Sequence, residues 1–152
     1  MPMTPEAAAE MGRIGAVAAM ALAAVGSAIG AYAAGAGAVG AWKRLLAEGK
    51  PAPFTLFTFV GAPLSQTIYG MILMITMLSK ADGGYNPYAL LGAGVAAGLG
   101  MGASAYGQGK VGAHCADALA STGQGFSNYL AVIGIVETVA IFVLVFTLLA
   151  LG

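Results

Sequence analysis

Four apolar stretches, each long enough to cross a lipid bilayer, leave this chain few folds to choose from. They run over about 11–42, 53–79, 88–109 and 126–151, and short gaps carrying most of the charge separate them. The first gap holds Lys43, Arg44, Glu48 and Lys50, and the second holds Lys80 and Asp82. Lys110, His114 and Asp117 approach the third, which ends in Ser121-Thr-Gly-Gln-Gly125. A span needs roughly 20 apolar residues. Four helices therefore fit, with Pro and Gly at the turns. Charged residues make up only 8% of the chain, against about 25% in a soluble domain, too few to cover a water-soluble particle. The expected fold is an all-α membrane protein, with helices at about 11–47, 53–79, 87–121 and 126–151. The first stretch is read as a span and not a cleaved leader: it is too long for a leader's apolar core, and residues 1–12 carry two acids and no base.

Composition removes several function classes. Net charge is zero, so there is no basic face for nucleic acid. A single cysteine, Cys115, excludes an internal disulfide and a multi-cysteine metal centre. A single histidine, His114, argues against a His-based triad or metal site; both residues are read as surface or packing residues. Gly35-Ala-Gly-Ala-Val-Gly40 has dinucleotide-binding spacing but lies inside a helix, without the strand that motif needs. Gly107-Gln-Gly-Lys110 lacks the flanking residues of a phosphate loop, with Ser104 and Val111 in their places. No nucleotide site is expected.

The chain carries an internal echo. A shift of 74 lays Gly26 on Gly100, Ala31-Tyr32 on Ala105-Tyr106 and Gly35 on Gly109. A shift of 71 lays Gln66-Thr67 on Glu137-Thr138 and Thr76 on Thr147. The unit is a helical hairpin, giving two domains at 1–80 and 81–152. Two spans restore the starting direction, so the repeats are parallel, unlike the inverted repeats of many transporters. The first and third helices are rich in Gly, Ala and Ser, with small-xxx-small patterns that allow close backbone approach. The second and fourth are bulky, as in Met71–Ile75 and Ile141–Phe146. Thin helices inside and thick ones outside describe a ring of copies in lipid; a compact four-helix bundle is the alternative.

Glu137 is the one acid deep in an apolar stretch. An acid at mid-membrane costs roughly 2.5–3.5 kcal/mol and is functional by default; the alternative is a protonated side chain acting as interhelical glue. Folding the second hairpin at Thr122-Gly123 brings Gln108 level with Glu137. Folding the first near Lys50 brings Ser65 and Gln66 to the same level, with Tyr69 on the face of Ser65. Pro63 removes an N–H and frees a carbonyl around 59–62, which makes the Ala62 carbonyl a candidate ligand. Carboxylate, amide, hydroxyl and carbonyl oxygens form a shell for a hard cation, and one negative charge balances one Na⁺. A proton would need only the carboxylate and is the main rival, with Ser65, Gln66 and Gln108 then serving as interhelical hydrogen-bond partners. Tyr69 is read as a donor to Glu137.

These residues carry a family resemblance. Val-Glu137-Thr, Gln108-Gly109-Lys110, and Pro63-Leu-Ser-Gln66 followed by Tyr69-Gly70 resemble the proteolipid (K or c) subunit of V-type and A/V-type rotary ATPases over nearly the whole chain, and a missing acid at Gln66 is typical of its duplicated form. The resemblance implies a homo-oligomeric ring turning against a stator a/I-type subunit whose Arg meets each Glu137. It implies Na⁺ ligands at Ser65, Gln66, Gln108, Glu137 and the Ala62 carbonyl, with Tyr69, Thr67 and Pro63 in support. It implies central-stalk contacts at the loops Trp42–Pro53 and Ala118–Gly125, lipid around the ring, and ATP hydrolysis in other subunits. Pro63-Leu64-Ser65 departs from the Pro-Gly-Thr that the resemblance implies for the best Na⁺ binders, which bears on affinity more than on ion identity. Basic residues favour loops 43–53 and 118–125 in the cytoplasm and both termini outside. The competing functional classes are a small standalone proton-coupled transporter and a four-span scaffold.

Overall fold

The computed structural model describes residues 3–152 as four long helices joined by short turns. They are α1 (Pro5–Ala47), α2 (Phe54–Asp82), α3 (Pro87–Thr122) and α4 (Phe126–Leu151), all apolar enough to cross a membrane. The chain is thus an all-helical, multi-pass membrane protein. The first two residues of the expected 1–80 hairpin lie outside the described residues. Lys80 to Asp82 continue α2 until Gly83, and residues 83–86 link it to α3.

The expected start of α1 near residue 11 is corrected to Pro5. Thr4 caps the helix by accepting the Ala7 N–H at 3.2 Å, Pro5 occupies the first turn and Glu6 faces the positive helix end. These signals precede the apolar run, so hydropathy alone misses them. At 43 residues, α1 is about 64 Å long, roughly twice the hydrocarbon thickness, so it projects beyond the bilayer.

The second span is not uniform. It opens with a 3-10 turn at Phe54–Leu56, runs as α-helix over Phe57–Gly61, tightens to 3-10 at Ala62–Leu64 and resumes as α-helix from Ser65 to Asp82. Pro63 is the cause: it offers no N–H, and its ring disfavours regular α packing of the preceding turn.

The tightest helix pair is α1 with α3. A Cβ built on Gly26 would lie 2.2 Å from the Gly102 carbonyl oxygen, and one on Gly109 would lie 2.0 Å from that of Gly30. Only glycine permits this approach. Gly15 faces Gly94, Gly26 faces Gly102 and Gly30 faces Gly109, so the numbers rise together and α1 and α3 run parallel. On the other layer, Phe59 meets Tyr129 and Tyr69 meets Glu137, so α2 and α4 also run parallel to each other.

Two apolar clusters fill the interior. Leu73, Met77, Leu90, Met101, Ala140 and Leu144 form one. Leu56, Phe59, Cys115, Leu119 and Ile133 form the other, with Phe126 and Tyr129 against it. Gln66 and Gln108, both fully buried, belong to neither. The outer face of α4 is bare: Ile135, Phe142, Phe146 and Leu149 are all more than half exposed. A face this apolar needs lipid or another helix.

Charges tie the helix ends together. Arg13 bonds Asp82 at 2.7 Å and Arg44 bonds Asp117 at 2.8 Å. Both pairs are substantially exposed, worth about 0–1 kcal/mol each. Lys50 holds the neighbouring Glu48 carboxyl below its usual range through a 2.7 Å hydrogen bond and its charge. The Trp42 indole N–H donates to the Pro53 carbonyl at 2.9 Å, bracing the loop between α1 and α2. Lys110 and His114 are exposed; Cys115 is buried.

Candidate functional site

The site begins with Glu137, on the α4 face turned toward α2 and α3. Its carboxylate accepts two hydrogen bonds from two different helices. The Tyr69 hydroxyl donates to Oε1 at 2.6 Å, and Gln108 Nε2 donates to Oε2 at 3.3 Å. A carboxylate with charge-assisted donors on both oxygens is fixed in orientation. Its residue is only half-buried, while Ile135, Thr138 and Val139 on either side are exposed, so it stands at the outer edge of the seam.

From Glu137 the network runs inward. Gln108 Nε2 also lies 3.3 Å from the Ile133 carbonyl, and Gln108 Oε1 accepts from Gln66 Nε2 at 2.9 Å. The single Ser65 hydroxyl proton has two acceptors in reach, the Ala62 carbonyl at 3.0 Å and Gln66 Oε1 at 3.3 Å. Ser65, Gln66, Gln108, Glu137 and Tyr69 thus form one connected chain across α2, α3 and α4. Each polar group is paired, as burial at this depth requires.

Local structure explains the convergence. The 3-10 turn at Ala62–Leu64 ends where Ser65 starts the regular helix, and from there Gln66 and Tyr69 are three residues apart on one face. On the facing hairpin, Gly123 takes a left-handed φ of 68°, closing α3 and folding α4 back so that Gln108 and Glu137 meet.

The remaining expected residues fall less centrally. The Ala62 carbonyl is engaged within its own turn, by the Ser65 N–H and by the Ser65 hydroxyl. Pro63 is buried against α1, where its Cβ lies 3.0 Å from the Cβ position of Gly30. Thr67 is half-buried and has no side-chain hydrogen bond to this network.

Two serines are additions to the sequence reading. Ser104 donates to the Val136 carbonyl at 2.8 Å, beside the site, fastening α3 to α4 one turn before Gln108. Ser27 on α1 is buried and its hydroxyl has no partner. A hydroxyl among Gly and Ala looks like any other small residue of a close-packed face, so composition does not separate either one.

Among the described residues, no three His, Cys, Asp or Glu side chains come together. A cation here would be held by one carboxylate plus neutral oxygens, the donor set of a hard monovalent ion. An open groove of about 580 Å³ between α3 and α4 is lined by Ala97, Val143 and Phe146 among others and does not include Glu137. Its lining is apolar apart from Thr147.

Residues 91–150 match the ATP synthase C-subunit family. The match takes in most of α3 and nearly all of α4, hence Ser104, Gln108 and Glu137. No curated protein matches the chain. Members of that family are non-catalytic rotor-ring proteolipids, which oligomerise into a ring beside a stator. The match supports an ion-translocating membrane rotor protein, with no catalytic role of its own.

Proposed function

We propose that this chain is the duplicated proteolipid of a V-type rotary ATPase and that it carries Na⁺ across the membrane on Glu137. In this reading 1–80 and 81–152 are tandem parallel repeats, and copies close into a ring. The observation that carries it is the continuous chain Ser65–Gln66–Gln108–Glu137–Tyr69, which gathers oxygens from three helices at one level. Glu137, Gln108, Gln66 and Ser65 are the ligands. The Ala62 carbonyl joins them only by giving up a hydrogen bond from Ser65. Tyr69 holds the carboxylate, and Pro63 and Thr67 shape the turn that presents Ser65 and Gln66.

Mechanism follows from charge. With Na⁺ bound, Glu137 is neutralised and its face of α4 can meet lipid. With the ion released, the carboxylate must find a compensating cation or bear the cost of desolvation. A stator Arg provides that cation, so loading and unloading are tied to rotation. Loops 43–53 and 118–125 face the cytoplasm and the central stalk, and the termini face outside.

One observation favours H⁺ as the carried ion. The amide nitrogens of Gln66 and Gln108 already point at acceptors, Gln108 Oε1 and Glu137 Oε2. Protonating Glu137 would need little rearrangement, whereas Na⁺ ligation requires the amides to turn their oxygens inward. The assembled complex in sealed vesicles decides the matter. ATP-driven uptake of labelled Na⁺ that survives a protonophore is the expected result. Acidification that a protonophore abolishes, with no Na⁺ uptake, would establish the proton rotor instead.

A further inference from the structure

Ser104 is 6% exposed, and among the described residues it is the one Ser or Thr whose hydroxyl donates to a different helix. Thr76, Ser121, Thr122 and Thr138 each donate to a carbonyl three or four residues back in their own helix, a local bond that serine and threonine in helices favour. Ser104 forgoes the Gly100 carbonyl, four residues back, and crosses to the Val136 carbonyl on α4 at 2.8 Å. That carbonyl belongs to the peptide group that leads into Glu137. It has two lone pairs, so it can accept from Ser104 as well as from α4's own ladder. A shift of 74 lays Ser104 on Gly30, which can make no such bond.

Gln108 and Glu137 take part in every other side-chain hydrogen bond that joins α4 to α2 or α3 among the described residues. These run from Tyr69 to Glu137, from Gln108 to Glu137 and from Gln108 to the Ile133 carbonyl. The first two end on the carboxylate, so they change when it gains or loses its ion. The third ends when Gln108 turns its amide oxygen toward a cation. The bond from Ser104 to Val136 touches neither group.

We infer that Ser104 is a positioning residue: it keeps α4 registered on α3, and Glu137 aimed at Tyr69 and Gln108, while the site loads and empties. It touches no ion itself. The inference rests on Glu137 as the ion carrier and holds for Na⁺ and H⁺ alike.

Two measurements test it. The first locks the register that Ser104 is inferred to hold. A Cβ built on Gly100 lies 3.9 Å from the Val143 Cβ, within the roughly 3.5–4.5 Å that a disulfide spans. Gly100 is one turn before Ser104 on α3, and Val143 is two turns past Val136 on α4. In an assembled complex carrying Cys115→Ala, Gly100→Cys and Val143→Cys, oxidation should leave ATP-driven ion uptake at the rate seen after reduction. Uptake lost on oxidation and regained on reduction would mean that α4 turns on α3, and would overturn the inference.

The second is carbodiimide labelling of Glu137 in the purified protein at fixed pH and salt. It compares wild type and Ser104→Ala, each alone and in a Tyr69→Phe, Gln108→Ala background. Alanine suits a helix, and a ring that stays intact in detergent verifies the fold. A carboxyl held less firmly by its donors is freer to take the reagent, so Ser104→Ala should label about fivefold faster, the worth of one hydrogen bond. In the background without those donors the same change should shift nothing further. An unchanged rate in Ser104→Ala alone would overturn the role. So would an equal acceleration in both backgrounds, which marks a general loosening of the fold. All these outcomes leave the carrier reading standing; wild-type uptake by Glu137→Gln would remove that reading and this inference with it.

Discussion

Positions 66 and 137, which a shift of 71 lays on each other, carry different chemistry. Position 66 holds a glutamine with no exposed surface, bonded to Ser65 and Gln108. Position 137 holds a half-buried glutamate at the edge of the helical seam. An amide is neutral and can stay buried once its hydrogen bonds are made. In the proposed reading the carboxylate is the group that is loaded and emptied, and the edge of the seam gives it access. The difference teaches a division of labour under the proposed reading: the buried position holds a neutral ligand, and the position at the edge holds the charge that changes.

The strongest way to break this contrast is to make the hairpins alike. Glu137→Gln should abolish coupled ion transport by the assembled complex, with ring assembly unchanged in detergent. Transport at the wild-type rate would end the assignment of Glu137. The converse change, Gln66→Glu, puts a second acid into the fully buried position. It should cost about 3 kcal/mol or more in stability, since an unpaired buried charge is among the most damaging changes. A melting temperature within a degree or two of wild type would show that position 66 is wetter than it looks. Combining the two changes should not restore transport, because an acid at 66 lacks the exposed edge of 137.

A smaller effect sharpens the comparison. Gln108 bridges the hairpins, bonding both Gln66 and Glu137. Gln108→Ala should raise the Na⁺ concentration for half-maximal transport by about tenfold or more, the worth of a hydrogen bond to a charged group. An unchanged Na⁺ dependence would remove Gln108 from the ion's surroundings. The smallest change concerns the charges at the ends. Asp117→Asn, which breaks the exposed pair with Arg44, should alter stability by less than about 1 kcal/mol. A larger loss would mean that the pair is buried in the assembled protein.

Much of this was legible in the sequence. Four apolar runs gave four helices, and α4 spans Phe126–Leu151, starting just after the left-handed Gly125. Counting residues back from the turns placed Gln66, Tyr69, Gln108 and Glu137 together, since helical rise is constant and each turn is short. The start of α1 was hidden because Thr4, Pro5 and Glu6 act through capping and not hydropathy. The engaged Ala62 carbonyl was hidden because a 3-10 turn re-bonds what Pro63 releases. Ser27 and Ser104 were hidden because packing partners, not residue types, decide what a hydroxyl on a Gly/Ala face can reach. The parallel course of α1 and α3 follows from the span count, but their register rests on glycine pairs such as Gly26 with Gly102, which no single-helix pattern specifies.

The central claim is that Glu137 is a cation ligand. Its most direct test is the rate of carbodiimide modification of the wild-type protein with and without millimolar Na⁺, at constant ionic strength and several pH values. The reagent reacts with the protonated carboxyl, so a bound cation competes with it. The account predicts that Na⁺ slows modification and that the protection weakens as pH falls. Modification that follows pH alone and ignores Na⁺ would contradict it, and would leave Gln66, Gln108 and Ser65 as hydrogen-bond partners of a proton carrier.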